Sequence, residues 1–224
     1  MDDYKKQFIE FMVRSNVLTF GDFTTKSGRK TPFFINTGNY STGAQLATLG
    51  RFYAEAFVKA FSEKIDCIYG PAYKGIPLVT ATAMNLSTEF KREISFCFNR
   101  KEAKDHGERG LLIGHRPADG DSIVIIEDVT TAGTSVRESI PLLKKHAAIS
   151  VKGLLVSVDR MERGSSGPLS ALAQLHEEFG IQTASIVTLA DIMEYLLNRE
   201  IDGKIVLNDS LYDKIVEYRS VYGA

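Results

Sequence analysis

The stretch from Ile123 to Ser135, IVIIEDVTTAGTS, limits the possible folds of this chain more than any other. Four consecutive aliphatic residues, preceded by the turn pair Gly120 and Asp121, fit a strand buried on both faces, as in a parallel sheet covered by helices. The apolar run stops at two carboxylates, Glu127 and Asp128. Val129 follows, and then Thr130, Thr131, Ala132, Gly133, Thr134 and Ser135, small residues whose amides and hydroxyls can close around a compact anion. Val136 to Lys145 reads as a helix.

In an open α/β sheet, ligands sit beyond the carboxyl ends of the strands and helix N-termini attract phosphate. Phosphate suits the amides and hydroxyls of this turn. The acidic pair repels phosphate and must serve a sugar diol, a metal ion, or positive charge developing on a sugar carbon. The combination suits a ligand that is both sugar and phosphate. A Walker A pattern is absent, as is G-x-G-x-x-G after a strand, so nucleotide folds of those kinds lose support. The stretch resembles the signature of the type I phosphoribosyltransferases, which bind 5-phosphoribosyl 1-diphosphate (PRPP).

The 224 residues suffice for one domain with a full core, and 44% hydrophobic with 25% charged residues is an ordinary globular balance. A net charge of -1 offers no general attraction to nucleic acid or to an anionic membrane. The start, from Met1 to Lys6, lacks the apolar run of a signal peptide, and no apolar segment approaches the length of a membrane span, so a cytoplasmic protein is expected. Cys67 and Cys97 lie in apolar runs without a C-x-x-C pair and are expected to be buried thiols rather than a disulfide or zinc site. His115, His146 and His176 have no ligand-like spacing.

From the N-terminus, Tyr4, Phe8, Phe11 and Met12 recur at helical spacing over Asp2 to Arg14. Leu18 to Ile35 reads as short β-prone pieces punctuated by Gly21, Gly28 and Pro32, a small subdomain outside the main sheet. Within it, Lys26 to Lys30 is a basic turn and Thr31 to Asn36 an aromatic one. A solvated charge cluster and core aromatics are the plain readings; a planar carboxylated heterocycle would need the same adjacent groups. Ser41 or Thr42 can cap the next helix, with Leu46, Leu49, Tyr53 and Phe57 on one face. Cys67 to Tyr69 is a short buried strand. The loop after it, Gly70 to Pro77, is either a plain βα connection or a wrap for a diphosphate, and Pro77 suits the first turn of the following helix.

Ile94 to Phe98 is the next strand. Between Asn99 and Gly110, Arg100, Lys101, Glu102, Lys104, Asp105, His106, Glu108 and Arg109 leave almost nothing to bury, so an exposed, mobile segment is expected. Pro141 should kink the helix after the central motif or limit its second half. Val151 to Val158 is a strand ending at Asp159 and Arg160; Leu169 to Phe179 is helical; Ser185 to Leu189 is a strand; Asp191 can cap a helix through Leu197; and Asp209 or Ser210 starts the last helix. The sum is an α/β fold: a mostly parallel central sheet flanked by helices, with a small N-terminal β-rich hood at about residues 1–40 and a loop at about 99–111, in one domain over 1–224.

Lys26 with Phe33, Phe34 and Ile35, the loop Pro71 to Gly75, the charged run Asn99 to Glu108, and Asp159 to Gly164 together resemble the orotate phosphoribosyltransferase family, from the first helix to the last. The resemblance implies transfer of the phosphoribosyl group from PRPP to N1 of orotate, giving orotidine 5′-phosphate and diphosphate in pyrimidine (UMP) biosynthesis, with Mg²⁺ held mainly by PRPP and reached by Glu127 or Asp128 through water at most, with no direct protein ligand. Carried over residue by residue, Thr130 to Ser135 would hold the 5′-phosphate, Glu127 and Asp128 the ribose hydroxyls, and Val129 between them would also contact PRPP. Tyr73 and Lys74 would meet the diphosphate, and Lys26, Phe34, Ile35, Thr131 and Arg160 would line the orotate site. Arg100, Lys101, Lys104 and His106 would act on the neighbouring subunit's PRPP, which implies a homodimer with the loop from Arg100 to Arg109 reaching across. Lys74, Lys104, His106 and Asp128 are the expected catalytic residues. Glu127 stands where many members carry a second Asp. A purine or uracil phosphoribosyltransferase lacks the constellation of Lys26, Phe34 and Arg160, and a PRPP-binding transcription regulator needs a DNA-binding module and a basic patch for which the chain has no spare segment.

Overall fold

A computed structural model describes residues 1–25, 28–101, 111–130, 132–164 and 167–224. Lys26, Lys104, His106, Arg109 and Thr131 lie outside the described residues. The central sheet has six strands: β3 (Cys67–Gly70), β4 (Ser95–Asn99), β5 (Leu112–Gly114), β6 (Ser122–Ile126), β7 (Ser150–Asp159) and β8 (Gln182–Thr188), in the order β5-β4-β3-β6-β7-β8. All neighbours are parallel except β5, which runs antiparallel to β4 at one edge. Every residue of β6 is buried, as its unbroken aliphatic run requires.

Alternation along the strands divides the core into two layers. Val124 and Ile126 of β6, Ile68 of β3 and Leu155 of β7 face α1 (Asp3–Arg14), α2 (Gly43–Ala60), α3 (Gly75–Thr88), α6 (Leu189–Leu196) and α7 (Asp209–Tyr222). Ile123 and Ile125, Tyr69, Leu154 and Val156 face α4 (Thr134–His146) and α5 (Ala171–Phe179). Cys67 and Cys97 are buried free thiols on adjacent strands, with their sulfurs 3.5 Å apart. Contact with the Cys97 sulfur, and burial, push the Cys67 thiol up.

The first β segment forms a separate antiparallel hairpin, β1 (Leu18–Thr24) with β2 (Lys30–Ile35), packed against α7 and closing over one end of the sheet. Thr42 caps α2 through a reciprocal pair with Gln45. The helix expected through Lys145 is present, and one helix cap differs from expectation. Helix α4 runs through Pro141 to His146: Pro141 is exposed, while Val136, Ile140 and Leu143 on the other face are buried, so packing of that face carries the helix past the missing N–H. Asp191 is not the cap of α6; Thr188 is, and Asp191 is its partner three residues on, accepting the Thr188 amide at 2.9 Å. The short strand β5 and a two-residue hairpin, β9 (Glu200–Ile201) with β10 (Lys204–Ile205), carried too little pattern to be read from the sequence.

Candidate active site

The crossover from β3 leads through α3 to β4 on one side, and the crossover from β6 leads through α4 to β7 on the other. The direction of winding therefore reverses between β3 and β6, and a crevice opens beyond their carboxyl ends. The loops that carry the sequence-predicted residues leave the sheet there. Glu127 and Asp128 follow β6, Tyr73 and Lys74 follow β3, Arg100 and Lys101 follow β4, and Arg160 follows β7.

The two acids are held by their main chain. The Glu127 carbonyl accepts the buried Tyr53 hydroxyl at 2.7 Å, and the Asp128 carbonyl accepts both the Ser157 amide (2.8 Å) and the Ser157 hydroxyl (2.7 Å). With their backbones fixed, the side chains part. Glu127 turns into its own loop, where Oε2 accepts the Ser135 hydroxyl at 2.6 Å and Oε1 accepts the Asp128 amide at 3.0 Å. Asp128 turns to the crevice, where Oδ2 accepts Lys74 Nζ at 2.7 Å and Thr37 Oγ1 at 2.8 Å. Burial pushes Glu127 up, and the Ser135 hydroxyl only partly offsets it. Asp128 is also penalised by burial, but Lys74, the Val129 amide and Thr37 outweigh that and hold it below the ordinary carboxylate range. The two adjacent acids are thus shifted in opposite directions.

Gly133 adopts φ 70°, a conformation glycine takes without cost, and starts α4 with no side-chain cap. The amides of the first turn have no partner within the helix, which is the ordinary form of an anion site. The Thr130 hydroxyl accepts the Gly133 amide at 3.0 Å, and Arg137, paired with Glu178 at 2.7 Å, donates to the Ala132 carbonyl. On the other side of the crevice the β3 loop is tight: a Cβ on Gly75 would lie 2.6 Å from the Gly70 carbonyl carbon. Asn99 Oδ1 braces it by accepting the Ala72 amide at 2.8 Å and the Tyr69 hydroxyl at 2.9 Å. Tyr73 is exposed, and Lys101 Nζ lies 4.9 Å from its ring centre.

The hairpin supplies a third wall. Phe34 is exposed and stacks on Phe23 at 5.6 Å, Ile35 is half-buried at the strand end, and Phe33 is fully buried beneath the Arg160 guanidinium at 4.6 Å. Thr37, two residues beyond β2, ties this wall to Asp128. Sequence reasoning missed Thr37; its one signal was position, just past the aromatic strand. It also missed Tyr53 and Ser157, which support the acids from behind and look like ordinary core residues in the sequence. A cleft of about 380 Å³ adjoins the Lys74 and Asp128 pair, lined also by Thr37, Ser41 and Pro77. A larger hollow of about 830 Å³ beside β8 and α5 contains none of these groups, except that Asp159 at its rim precedes Arg160. Among the described residues no group of three or more His, Cys, Asp or Glu side chains could hold a metal, and no helix is long and apolar enough to cross a membrane.

Residues 36–167 match the phosphoribosyl transferase domain, more than half of the chain, and the chain belongs to that family. The orotate phosphoribosyltransferase of Clostridium beijerinckii is 56% identical over 224 residues, covering all of both chains. The crystal structure of the orotate phosphoribosyltransferase of Francisella tularensis superposes with a TM-score of 0.83 at 36% identity, covering 97% of this chain and 100% of that one. The Mycobacterium tuberculosis enzyme in complex with PRPP has a TM-score of 0.62 at 19% identity, covering 84% of this chain and 98% of that one, a likeness of fold. Within the family the activity is that of an orotate phosphoribosyltransferase, which moves the phosphoribosyl group of PRPP to N1 of orotate in pyrimidine biosynthesis.

Proposed function

We propose that Asp128 and Lys74 form the centre of the reaction, with PRPP lying across the crevice between the β3 and β6 loops. The observation that carries this assignment is the ion pair of these two residues at the winding reversal, beside the uncapped start of α4. The 5′-phosphate takes the amides and hydroxyls of Thr130 to Ser135, a run that includes Thr131. The diphosphate lies against Tyr73, Lys74, Arg100 and Lys101. Asp128 faces the ribose hydroxyls and Glu127 braces the loop behind it. Orotate sits between the hairpin and Arg160, stacked near Phe34 and Ile35, with Lys26 and Thr131 at its edge.

The chemistry follows from what changes as the bond from C1 to diphosphate breaks. The ribose becomes cationic, and the charged Asp128 stabilises it. The leaving group gains negative charge, and Lys74, released from Asp128 as the substrate arrives, faces it. Orotate, once deprotonated at N1, is already a nucleophile, so the hairpin and Arg160 have only to align it and exclude water. Asp128 and Glu127 are hard oxygen donors suited to Mg²⁺ through water, with the metal otherwise held by PRPP. Bound there, Mg²⁺ would neutralise charge on the diphosphate.

The working enzyme is a cytoplasmic homodimer in which Lys104 and His106 close over the diphosphate of the neighbouring subunit. The first test follows orotate absorbance with PRPP and Mg²⁺, with adenine, guanine, hypoxanthine and uracil in parallel. Orotate alone should be consumed, and only with both PRPP and metal present; turnover without Mg²⁺ would remove the metal. Mixed dimers of the Lys104→Ala and Asp128→Asn proteins should regain activity that neither has alone, and no recovery on mixing would place the loop in its own subunit's site.

A further inference from the structure

Glu162 lies outside the reacting centre and is nonetheless the most heavily engaged carboxylate on the hairpin side of the crevice. It is buried, and both of its oxygens are taken. Oε1 accepts Arg160 Nη2 at 2.6 Å, Arg160 Nε at 3.0 Å and the Tyr218 hydroxyl at 2.9 Å; Oε2 accepts Arg29 Nη2 at 2.7 Å. Two guanidiniums share one carboxylate, so the cluster keeps one positive charge, in a place with little water to screen it.

The backbone around Glu162 is built to hold this arrangement. Asp159 Oδ1 accepts the Met161 amide at 2.8 Å, and Met161 takes a left-handed conformation (φ 52°), a tight turn straight after β7. The next residues pair with the end of α7: Glu162 bridges Gly223, and the Arg163 amide donates to the Tyr222 carbonyl at 2.9 Å. Arg29 lies just before β2 of the hairpin, and its guanidinium lies 4.9 Å from the Tyr222 ring centre. Glu162 is therefore where the β7 turn, the hairpin turn and α7 meet.

We infer that Glu162, supported by Tyr218, is a positioning residue for recognition of the anionic base: it fixes the Nε and Nη2 edge of Arg160 above Phe33, so that the remaining Nη1 edge meets the carboxylate of orotate. This rests on the placement of Arg160 at the base site. A planar guanidinium held along one edge and one face has a single orientation in which to offer its other donors, and that pre-organisation favours a ligand with a carboxylate over a neutral base.

Charge and geometry give opposite signs for Glu162→Gln. The substitution adds one net positive charge beside the anionic base, so a purely electrostatic role predicts tighter orotate binding. A positioning role predicts weaker binding, because an amide cannot accept at both ends and one guanidinium is released. The KM for orotate should rise at least tenfold while the KM for PRPP stays within twofold. Tyr218→Phe removes one hydroxyl and keeps the ring packing, so the same KM should rise about threefold while the melting temperature falls by only a few degrees; this variant decides the matter if Glu162→Gln does not fold. Arg160→Gln separates the two levels. If it leaves the orotate KM unchanged, the placement of Arg160 fails. If it raises that KM while Glu162→Gln lowers it, or Tyr218→Phe leaves it alone, the inference about Glu162 fails and the placement of Arg160 stands.

Discussion

Asp128→Asn is the sharpest test of the assignment at the centre of the site. The carboxylate is an acceptor at both oxygens and meets three donors: Lys74 Nζ at 2.7 Å, Thr37 Oγ1 at 2.8 Å and the Val129 amide. Lys74 and Thr37 share Oδ2, so an asparagine can serve both only with its carbonyl oxygen at that position, and its NH2 then replaces the second carboxylate oxygen. The cost in stability is small, because the Lys74 side chain is 63% exposed and its ion pair contributes no more than about 1 kcal/mol after solvent screening. The cost in rate is larger. A unit negative charge about 5 Å from a developing positive charge, at an effective dielectric of about 20, is worth about 3 kcal/mol. If most of that appears only in the transition state, kcat falls roughly a hundredfold. PRPP binding should be partly retained, since the α4 turn and Lys74 are untouched. Initial rates of orotate consumption at saturating PRPP, with calorimetry of PRPP binding, measure both. A kcat within threefold of the unaltered protein would refute electrostatic stabilisation by Asp128, and complete loss of PRPP binding would show that its role lies in the ground state.

Glu127→Gln probes the other acid through pH. Burial raises its folded pKa above the ordinary 4.5, so the unfolded chain ionises first and the contribution of Glu127 to stability, complete below 4.5, is lost as pH rises through the folded pKa. The stability of Glu127→Gln relative to the unaltered protein should therefore grow with pH over that window in denaturation at a series of pH values, and a difference that shrinks would contradict the burial account. Gly75→Ala places a Cβ 2.6 Å from the Gly70 carbonyl carbon and 2.9 Å from Pro71 Cδ, forcing the β3 loop apart. Overpacking of this kind costs about 1–3 kcal/mol, so thermal unfolding should come several degrees lower, and the displaced Lys74 should lower kcat at least tenfold; unchanged kinetics would separate the loop from the chemistry. Lys104→Ala should lower kcat at least tenfold, about 1.4 kcal/mol of barrier, with unfolding unchanged, and an unaltered kcat would remove Lys104 from the mechanism.

Most of the elements were legible because their signals are local. The unbroken aliphatic run of β6 announced a strand buried on both faces, Ser41 and Thr42 bracketed the start of α2, where the structure makes Thr42 the cap, and the apolar spacing in α1 placed Tyr4, Phe8 and Met12 in the core. Where local signals competed, the sequence left the outcome open. Pro141 argued for a kink or a limited second half, while the apolar pattern carried the helix to Lys145, and the buried face of α4 takes it past one absent N–H on the exposed side to His146. Asp191 and Thr188 are both acceptable caps, and only the end of β8 decides which stands at the helix start.

The site divides along the same line. Residue types in order along the chain determined the acidic pair, the small-residue turn before α4, the lysine after β3 and the arginine after β7, because each chemistry depends on its immediate neighbours. Only the tertiary structure decided how these groups are used. It turned Glu127 inward to Ser135 and Asp128 outward to Lys74, though the two are adjacent in sequence, because Tyr53 and Ser157 hold their carbonyls. It brought Thr37 to Asp128 across 91 positions and joined Arg29 to Glu162 across 133. A hydrogen bond depends on distance and direction in space, and for residues so far apart along the chain those are set by packing of the sheet, hairpin and last helix rather than by any local pattern.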